Sequence, residues 1–229
     1  MKSLCIILPA YNEAKAIGPV MQKLQNFVKK ENDLVIEIVV IDDGSTDQTF
    51  QICQTFNVTV LHHIINRGLG GALATGIEYA KMHNFDFALT MDSDGQHDIN
   101  DLPKAIKLLI NNDADVVIGS RMMGQKGMPK DRLIINFTSN VFTYILFGFW
   151  TTDSQSGFRG FNRKALGFIN VKTQGMEVSS ELFTEIKKHN LKLLEVPISV
   201  IYTEYSRNKG QSNLNSLNVV VKLLLRKFR

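Results

Sequence analysis

The chain has 229 residues, of which 44% are hydrophobic and 21% charged, so it can bury an ordinary core and is neither disordered nor fibrous. Its formal net charge of +4 suits phosphate-bearing partners such as nucleoside diphosphates, phospholipids or nucleic acid, but it is too small to choose among them. The two cysteines, Cys5 and Cys53, follow no metal-ligand spacing and form no disulfide framework, so we expect buried thiols in a reducing compartment.

From residue 4 to about 120, short β-branched runs alternate with helical stretches, a pattern typical of a parallel, doubly wound α/β sheet. The near-continuous apolar strands predict helices on both faces of this sheet. The predicted strands are 4–8, 34–41, 58–61, 85–91 and 116–118, and the predicted helices are 13–30, 46–56, 69–83 and 101–112. In such sheets ligands bind beyond the carboxyl ends of the strands, where the polar clusters of this sequence lie.

After residue 120 the order of elements changes. The predicted order is a glycine-containing loop at 124–129, an apolar helix at 133–150, a polar turn at 151–157, a helix near 177–189 and a strand near 191–202. The apolar stretch contains Asn136 and Asn140 and is short and polar for a membrane span, so we expect a core or interfacial helix.

Polar side chains follow the first two strands directly. Residues 9–13 read PAYNE, and residues 42–47 read DDGSTD. Helix capping and turn formation explain part of the second loop but leave Asp42, at the end of its strand, without a role. Carboxylates in that position accept hydrogen bonds from the nucleoside in dinucleotide sites, so we expect Asp42 and Asp43 to contact a nucleotide.

The third strand leads to a glycine-rich segment, NRGLGGA at 66–72. No Lys-Ser or Lys-Thr follows it and it contains no GxGxxG, so it fits neither glycine-loop formula for phosphate binding. By itself this segment is a weak signal.

The fourth strand ends in the hexapeptide DSDGQH, which is the strongest local feature. The carboxylates of Asp92 and Asp94 and the amide oxygen of Gln96 are hard ligands of the kind magnesium or manganese takes, with water and substrate phosphate completing the shell. An EF-hand calcium loop would need a glutamate at loop position 12, where this chain has a proline. We therefore predict a catalytic divalent cation held through a nucleoside diphosphate, with His97 as either a ligand or a hydrogen-bonding neighbour.

With these loops in place, the chain resembles glycosyltransferase family 2, and within it the dolichyl- or polyprenyl-phosphate sugar transferases. The matching segments occur in family order: PAYNE at 9–13, DDGSTD at 42–47, NRGLGGA at 66–72, DSDGQH at 92–97, GSR at 119–121, DSQSGFR at 153–159 and YSRNKGQS at 205–212. The resemblance implies the nucleotide-binding GT-A fold, a single α/β domain with a mostly parallel central sheet. It also implies inversion at the anomeric carbon and dependence on Mg²⁺ or Mn²⁺.

The resemblance further implies roles for individual residues. It places Pro9, Tyr11, Glu13 and Asp42 at the nucleotide and Asp92, Asp94 and Gln96 at the metal; Asp43, Gly71 and Ser93 complete the predicted donor-binding set. Arg121, Arg132 and Asn136 match positions near the acceptor phosphate, although some members have serine in place of Asn136. Arg207, Lys209 and Ser212 would close over the diphosphate.

The acceptor decides whether a general base is needed. A lipid phosphate is largely ionised at neutral pH, because its second pKa lies near about 6, and needs no strong base. A sugar hydroxyl needs a carboxylate to take its proton. Asp153 is the candidate base, with Glu177 in reserve; the alternative is that Asp153 forms a turn and orients Arg159. The predicted catalytic residues are Asp92, Asp94, Asp153 and Arg207.

We divide the chain into a glycosyltransferase domain at 1–213, with a nucleotide-sugar-binding half at 1–120 and an acceptor half at 121–213, and a basic amphipathic helix at 214–229. Such a helix is typical of peripheral membrane contact, although packing on its own domain is the ordinary alternative. We expect a peripheral location at the cytoplasmic membrane face and no nucleic-acid partner. A membrane partner subunit is left open.

Three other functions stay open at this stage. A family 2 transferase could extend a saccharide on a hydroxyl acceptor, using the same donor site. Nucleotidyl transfer onto a sugar phosphate uses a similar sheet but normally wants a glycine-rich first loop, which PAYNE is not. A non-catalytic protein would bind the nucleotide-sugar without consuming it. The sequence does not choose between GDP-mannose and a UDP-sugar as donor.

Overall fold

A computed structural model describes residues 1–124, 130–148 and 150–201 of the chain. Its strands are β1 (Lys2–Ala10), β2 (Leu34–Asp42), β3 (Thr59–His62), β4 (Phe87–Thr90), β5 (Val116–Ser120), β6 (Arg159–Asn162) and β7 (Leu193–Pro197). Its α-helices are α1 (Ile17–Lys30), α2 (Thr49–Gln54), α3 (Gly68–Met82), α4 (Leu102–Ile110), α5 (Arg121–Gly124), α6 (Lys130–Phe147), α7 (Arg163–Phe168) and α8 (Val178–Lys188).

The strands form one sheet in the order β3-β2-β1-β4-β6-β5-β7. All neighbours pair in parallel except β6, which runs antiparallel to both β4 and β5. The predicted single-domain α/β fold with a mostly parallel sheet is therefore confirmed. Strand β6 was not predicted, because its four residues, RGFN, contain neither an apolar run nor an alternation of apolar and polar residues.

Helices cover both faces of the sheet, as predicted. Successive residues of β1 point to opposite faces, and Ile6 and Ile7 are both fully buried. Ile6 belongs to the core beneath α1, α2 and α4, whereas Ile7 belongs to the core beneath α3, α7 and α8. Each such buried side chain contributes about 1.5–3 kcal/mol.

Helix α1 shows how the sequence specifies this packing. Its buried residues recur with helical spacing on one face: Ile17, Val20, Met21 and Leu24. Lys29 and Lys30 in the last turn interact favourably with the negative end of the helix dipole.

Both cysteines are buried and unpaired, which confirms the expectation of buried thiols. Burial, with the charge of Asp42 as a smaller cause, raises the pKa of Cys53 to about 11, so its thiolate is scarce at neutral pH. Burial likewise raises the pKa of Cys5.

The predicted apolar helix at 133–150 forms as α6. Its Asn140 and Thr143 are buried, whereas Phe137 and Tyr144 are exposed, so the helix has a polar buried face and an aromatic outer face. Among the described helices, none combines the length and hydrophobicity needed to cross a membrane. The predicted amphipathic helix at 214–229 lies outside the described residues.

Candidate active site

The polar loops predicted to bind the donor meet at one edge of the sheet. Strands β1, β2, β3 and β4 are parallel neighbours, so their carboxyl ends lie side by side. The predicted loops PAYNE, DDGSTD and DSDGQH follow β1, β2 and β4. They lie side by side in the order of these strands in the sheet, which is β2, β1, β4.

The loops after β1 and β2 are tied together by hydrogen bonds. Asn12 adopts a left-handed conformation, with φ 54°. Its backbone N–H donates to Ser45 Oγ at 3.0 Å, and its side-chain oxygen accepts from the N–H of Thr46 at 2.8 Å. The N–H of Glu13, which is buried, donates to Thr49 Oγ at 2.7 Å. These bonds hold the two predicted nucleotide-binding loops as one unit.

The two carboxylates that follow the core of β2 are each paired with a histidine. Asp42 is fully buried, and its Oδ2 lies 2.6 Å from His62 Nδ1. Asp43 Oδ1 lies 2.6 Å from His63 Nδ1. Neither histidine was among the predicted site residues. Their position at the end of β3, beside the aspartates at the end of β2, was the available signal.

Asp43 also organises the glycine-rich segment. Its carboxylate accepts the backbone N–H of Arg67 at 2.9 Å and of Gly68 at 2.7 Å, which fixes the start of α3. The N–H groups of Gly70 and Gly71 both point at the carbonyl oxygen of Gln174, at 2.8 and 3.4 Å. These contacts give the segment a packing role, and the expectation that Gly71 contacts substrate stays a prediction.

The loop after β4 presents two carboxylates in different settings. The side chain of Asp92 is 41% exposed, and its Oδ2 lies 3.1 Å from Nε2 of the buried His97. Asp94 accepts the backbone N–H of Gln96 at 2.9 Å and its side-chain Nε2 at 2.6 Å. Ser93 Oγ donates to the carbonyl oxygen of Pro9 at 2.7 Å, which ties this loop to the loop after β1.

These surroundings shift the pKa values of Asp92 and Asp94 in opposite directions. Burial raises the pKa of the Asp92 carboxyl, but the hydrogen bond from His97 and the charges of His97, Arg121 and Arg159 outweigh it, so that pKa lies below its usual range. Burial, followed by repulsion from Asp92, raises the pKa of Asp94. Asp92 is therefore ionised first, and Asp94 loses its proton less readily.

The oxygen set at this loop fits a hard divalent cation. The carboxylates of Asp92 and Asp94 and the side-chain amide of Gln96 lie within about five consecutive residues, and the hydrogen bonds just described hold this loop in place. Within the described ranges no group of three or more His, Cys, Asp or Glu side chains is arranged to hold a metal ion unaided. A cation here would need further ligands from a substrate, such as the oxygens of a diphosphate.

Backbone packs directly against this loop. At Gly157 an added Cβ would lie 2.6 Å from both Cγ and Oδ2 of Asp92, and closer still to Oδ1. The carbonyl oxygen of Gly157 also accepts a hydrogen bond from Thr90 Oγ at 2.8 Å. Only glycine fits here without displacing Asp92, a requirement that the sequence analysis did not detect.

In the half of the chain predicted to bind the acceptor, Arg121 and Asp153 form a bidentate ion pair. Arg121 Nε donates to Asp153 Oδ2 at 2.6 Å, and Nη2 donates to Oδ1 at 2.7 Å. The backbone N–H of Arg121 donates to the same carboxylate at 3.0 Å. Asp153 is fully buried, so both its oxygens are committed to Arg121. The suggestion that Asp153 orients Arg159 is corrected in one respect, because its hydrogen-bonded arginine is Arg121.

The turn that carries Asp153 is fastened at two places. Glu195 of β7 accepts hydrogen bonds from Thr151 Oγ at 2.8 Å and from the N–H of Thr152 at 2.9 Å. Asn140 of α6 accepts the N–H of Ser154 at 2.9 Å and donates to the carbonyl oxygen of Thr152 at 2.5 Å. Sequence spacing offers no signal for such distant pairs.

Arg159 places a positive charge beneath both halves of the site. It is buried, and its Nη2 donates to Ser179 Oγ at 2.8 Å and to the carbonyl oxygen of Ser154 at 3.2 Å. Burial lowers its pKa to about 10, while the charges of Asp92 and Asp153 act in the opposite direction. The guanidinium stays protonated at neutral pH.

The remaining predicted residues fall into two groups. Tyr11 is exposed and Asn136 half-buried, in the loop after β1 and in α6 respectively. The residues whose side chains lie outside the described part of the chain are Arg132, Arg207, Lys209 and Ser212. Their roles stay predictions.

Comparison with known proteins agrees with this architecture. The model of the family described as Glycosyl transferase family 2 matches residues 5–168. UDP-N-acetylglucosamine–dolichyl-phosphate N-acetylglucosaminyltransferase of Methanococcus voltae is 35% identical, covering 99% of this chain and 97% of that protein. Undecaprenyl-phosphate mannosyltransferase of Micrococcus luteus is 27% identical, covering 89% of this chain and 85% of that protein.

A solved structure shares the fold at lower identity. Glucosyl-3-phosphoglycerate synthase from Mycobacterium tuberculosis, in complex with Mn²⁺ and UDP-glucose, superposes with a TM-score of 0.71 at 18% identity, covering 97% of this chain and 77% of that chain. This likeness concerns the fold. The family match and the relative from Methanococcus voltae reach further, and they show that this chain is a glycosyltransferase of family 2.

Proposed function

We propose that this enzyme transfers one sugar from a nucleotide-sugar to a polyprenyl or dolichyl phosphate, with inversion at the anomeric carbon and with the help of Mg²⁺ or Mn²⁺. Both relatives described above are named for sugar transfer to lipid phosphates. GDP-mannose and a UDP-sugar are the donor candidates.

The donor would lie along the row of loops at the carboxyl ends of β2, β1 and β4. Asp92, Asp94 and Gln96 would hold the cation, which supplies Lewis-acid stabilisation of the negative charge that develops on the departing diphosphate. Tyr11, Asp42 and their linked loops would hold the nucleoside. Because the loops are already tied to one another, the site needs little rearrangement when the donor binds.

The ion pair of Arg121 and Asp153 carries the acceptor assignment. Both oxygens of Asp153 accept hydrogen bonds from Arg121, so this carboxylate could take a proton only by giving up a buried ion pair. An ionised phosphate needs no such base. It would instead use Arg121 as a positive charge held in one orientation, which favours a lipid phosphate over a sugar hydroxyl.

The outer face of α6 supports contact with a membrane. Phe137, Tyr144, Ile145 and Trp150 are each more than half exposed. The Trp150 ring meets Phe137 and Tyr144 edge-on, with centroids 6.3 and 6.0 Å apart. Exposed aromatic clusters of this kind are enriched at membrane–water interfaces. Asn140, on the buried face of the same helix, fastens the turn that holds Asp153, so α6 links the exposed aromatic cluster to the proposed phosphate site.

The test is release of nucleoside diphosphate from a panel of nucleotide-sugars, with Mn²⁺ and either a short polyprenyl phosphate or a free saccharide. We expect turnover when the acceptor is the polyprenyl phosphate and none when it is the saccharide. Asp92→Ala should lower turnover about 100- to 1,000-fold, the typical cost of one preorganised contact. The exposed Asp113, at the opposite edge of the sheet, provides the control variant Asp113→Ala. Turnover of the Asp92 variant at the wild-type rate would refute the metal assignment.

A further inference from the structure

The two histidines beside Asp42 and Asp43 differ in what their second ring nitrogen does. His63 Nε2 lies 3.0 Å from Thr75 Oγ, so both of its nitrogens have partners inside the fold. His62 uses Nδ1 for Asp42, but 39% of its side chain is exposed. Its Nε2 makes no hydrogen bond within the part of the chain that the structure describes. His62 therefore has a polar atom that faces outward.

The buried carboxylate behind His62 is also incompletely satisfied. Asp42 Oδ1 is buried and has no hydrogen-bond partner among the described residues. A buried acceptor left unpaired costs roughly 1–3 kcal/mol, so such atoms call for an explanation. Among the described residues, the Asp42 carboxylate therefore depends on His62, whose Nδ1 lies 2.6 Å from Oδ2.

The order of the strands puts this corner at the nucleoside end of the proposed donor. His62, Asp42, the loop after β1 and the metal loop after β4 follow one another across β3, β2, β1 and β4. At about 4.8 Å per strand, the row from β4 to β3 is roughly 14 Å long. A donor whose diphosphate lies at Asp92 and Asp94 would extend its nucleoside towards His62.

The pairing with Asp42 determines which hydrogen bond His62 can make. An ionised carboxylate only accepts hydrogen bonds, so the proton of the neutral imidazole must be on Nδ1. Nε2 then carries a lone pair and is an acceptor. The ring of Phe50, with its centroid 4.7 Å from that of His62, helps to hold the imidazole in place.

We propose that His62 is a further donor-binding residue, whose Nε2 accepts a hydrogen bond from the nucleoside of the nucleotide-sugar. The group that donates is a ring N–H of the base or a hydroxyl of the ribose. This inference rests on the proposed function and adds to it the residue at the nucleoside end of the row. Asp42 is then the positioning partner that fixes the tautomer and the ring orientation.

Two substitutions separate contact with the nucleoside from support of Asp42. His62→Asn keeps an amide near the position of Nδ1, so it retains the bond to Asp42 but has nothing at the position of Nε2. His62→Gln places a polar group near the Nε2 position instead. Calorimetric titration of the full chain with UDP, GDP and pyrophosphate, each with Mn²⁺, gives the three affinities to compare.

We expect His62→Asn to weaken binding of the preferred nucleoside diphosphate about 2- to 10-fold, the worth of one net hydrogen bond. His62→Gln should recover part of this loss, and neither change should alter binding of pyrophosphate. Titration with the 2′,3′-dideoxy form of the same nucleotide distinguishes the two hydrogen-bond donors. If His62→Asn also weakens binding of this form, the base donates the hydrogen bond; if it does not, a ribose hydroxyl donates it.

His189 provides the matched control. It also lies near a carboxylate, Glu185, at 3.4 Å, and stacks on a ring, Phe168, at 4.4 Å, but it ends α8 at the opposite edge of the sheet. His189→Asn should leave all affinities unchanged. Wild-type nucleotide affinity in a folded His62→Asn variant would overturn this inference alone, as would an equal loss of pyrophosphate binding. A wild-type chain that binds pyrophosphate but no nucleoside diphosphate would overturn the proposed donor as well.

Discussion

The contact between Gly157 and Asp92 makes one substitution unusually informative. Gly157→Ala changes no charge and adds one methyl group, but its Cβ would lie 2.6 Å from Cγ and Oδ2 of Asp92, against about 3.4 Å or more for an ordinary contact. Movement of the Asp92 carboxylate away from this Cβ would disturb its 3.1 Å hydrogen bond with His97. A displacement on the order of 1 Å in a catalytic group costs about 100-fold in rate. We expect a fall of that size in kcat.

The assay is Mn²⁺-dependent release of nucleoside diphosphate, with the melting temperature recorded alongside. Gly167→Ala is the control, because an added Cβ at Gly167 in α7 meets nothing within 4 Å. In a helix this exchange should add about 0.5–1 kcal/mol of stability and leave turnover unchanged. A Gly157→Ala enzyme that is folded and turns over at the wild-type rate would show that the position of Asp92 does not limit the reaction.

Three further outcomes follow from the site. Asp94→Asn should raise the melting temperature of the metal-free chain, because the raised pKa of Asp94 means that its ionised form costs stability at pH values above that pKa. Mn²⁺ at 100 times its Kd should raise the melting temperature of the wild-type chain by about 5–10 °C, and the variant should lose this rise. Asp153→Ala should lower the free energy of unfolding in urea by about 3–5 kcal/mol, because it removes the buried carboxylate that pairs with Arg121. Asp153→Asn should raise the KM for the acceptor more than the KM for the donor. Trp150→Ser should reduce sedimentation with anionic vesicles several-fold. Met82→Ser removes another exposed hydrophobic side chain, 72% exposed at the opposite edge of the sheet, and should not reduce it.

The sequence predicted the fold of residues 1–120 well, for a physical reason. Each of the predicted loops follows an apolar strand directly, and the carboxyl ends of parallel strands must meet at one edge. Asp42 and the DSDGQH loop could therefore be placed near one another without knowing any tertiary contact. Helix boundaries also agreed closely, as in α3, predicted at 69–83 and observed at Gly68–Met82.

The chain after residue 120 was less predictable because its contacts join distant residues without a local pattern. Strand β6 enters the sheet antiparallel, and its sequence has no strand periodicity. Asp153 lies 32 residues from Arg121, so nothing in the spacing pairs them. The requirement for glycine at Gly157 arises from the approach of one loop to another. Such constraints come from tertiary packing, which residue patterns do not encode.

The charges around the site explain why Asp94 is suited to bind a cation. Two acidic side chains, Asp92 and Glu13, repel a negative charge on Asp94, and Asp92 itself lies 3.1 Å from His97. The hydrogen bonds that Asp94 accepts within the described chain come from the neutral Gln96, and its pKa is raised. The negative charge of Asp94 is therefore poorly compensated by the protein, and a divalent cation would compensate it. A cation bound at Asp94 would therefore gain affinity from a carboxylate whose ionisation lowers the stability of the metal-free chain, as is common at functional sites.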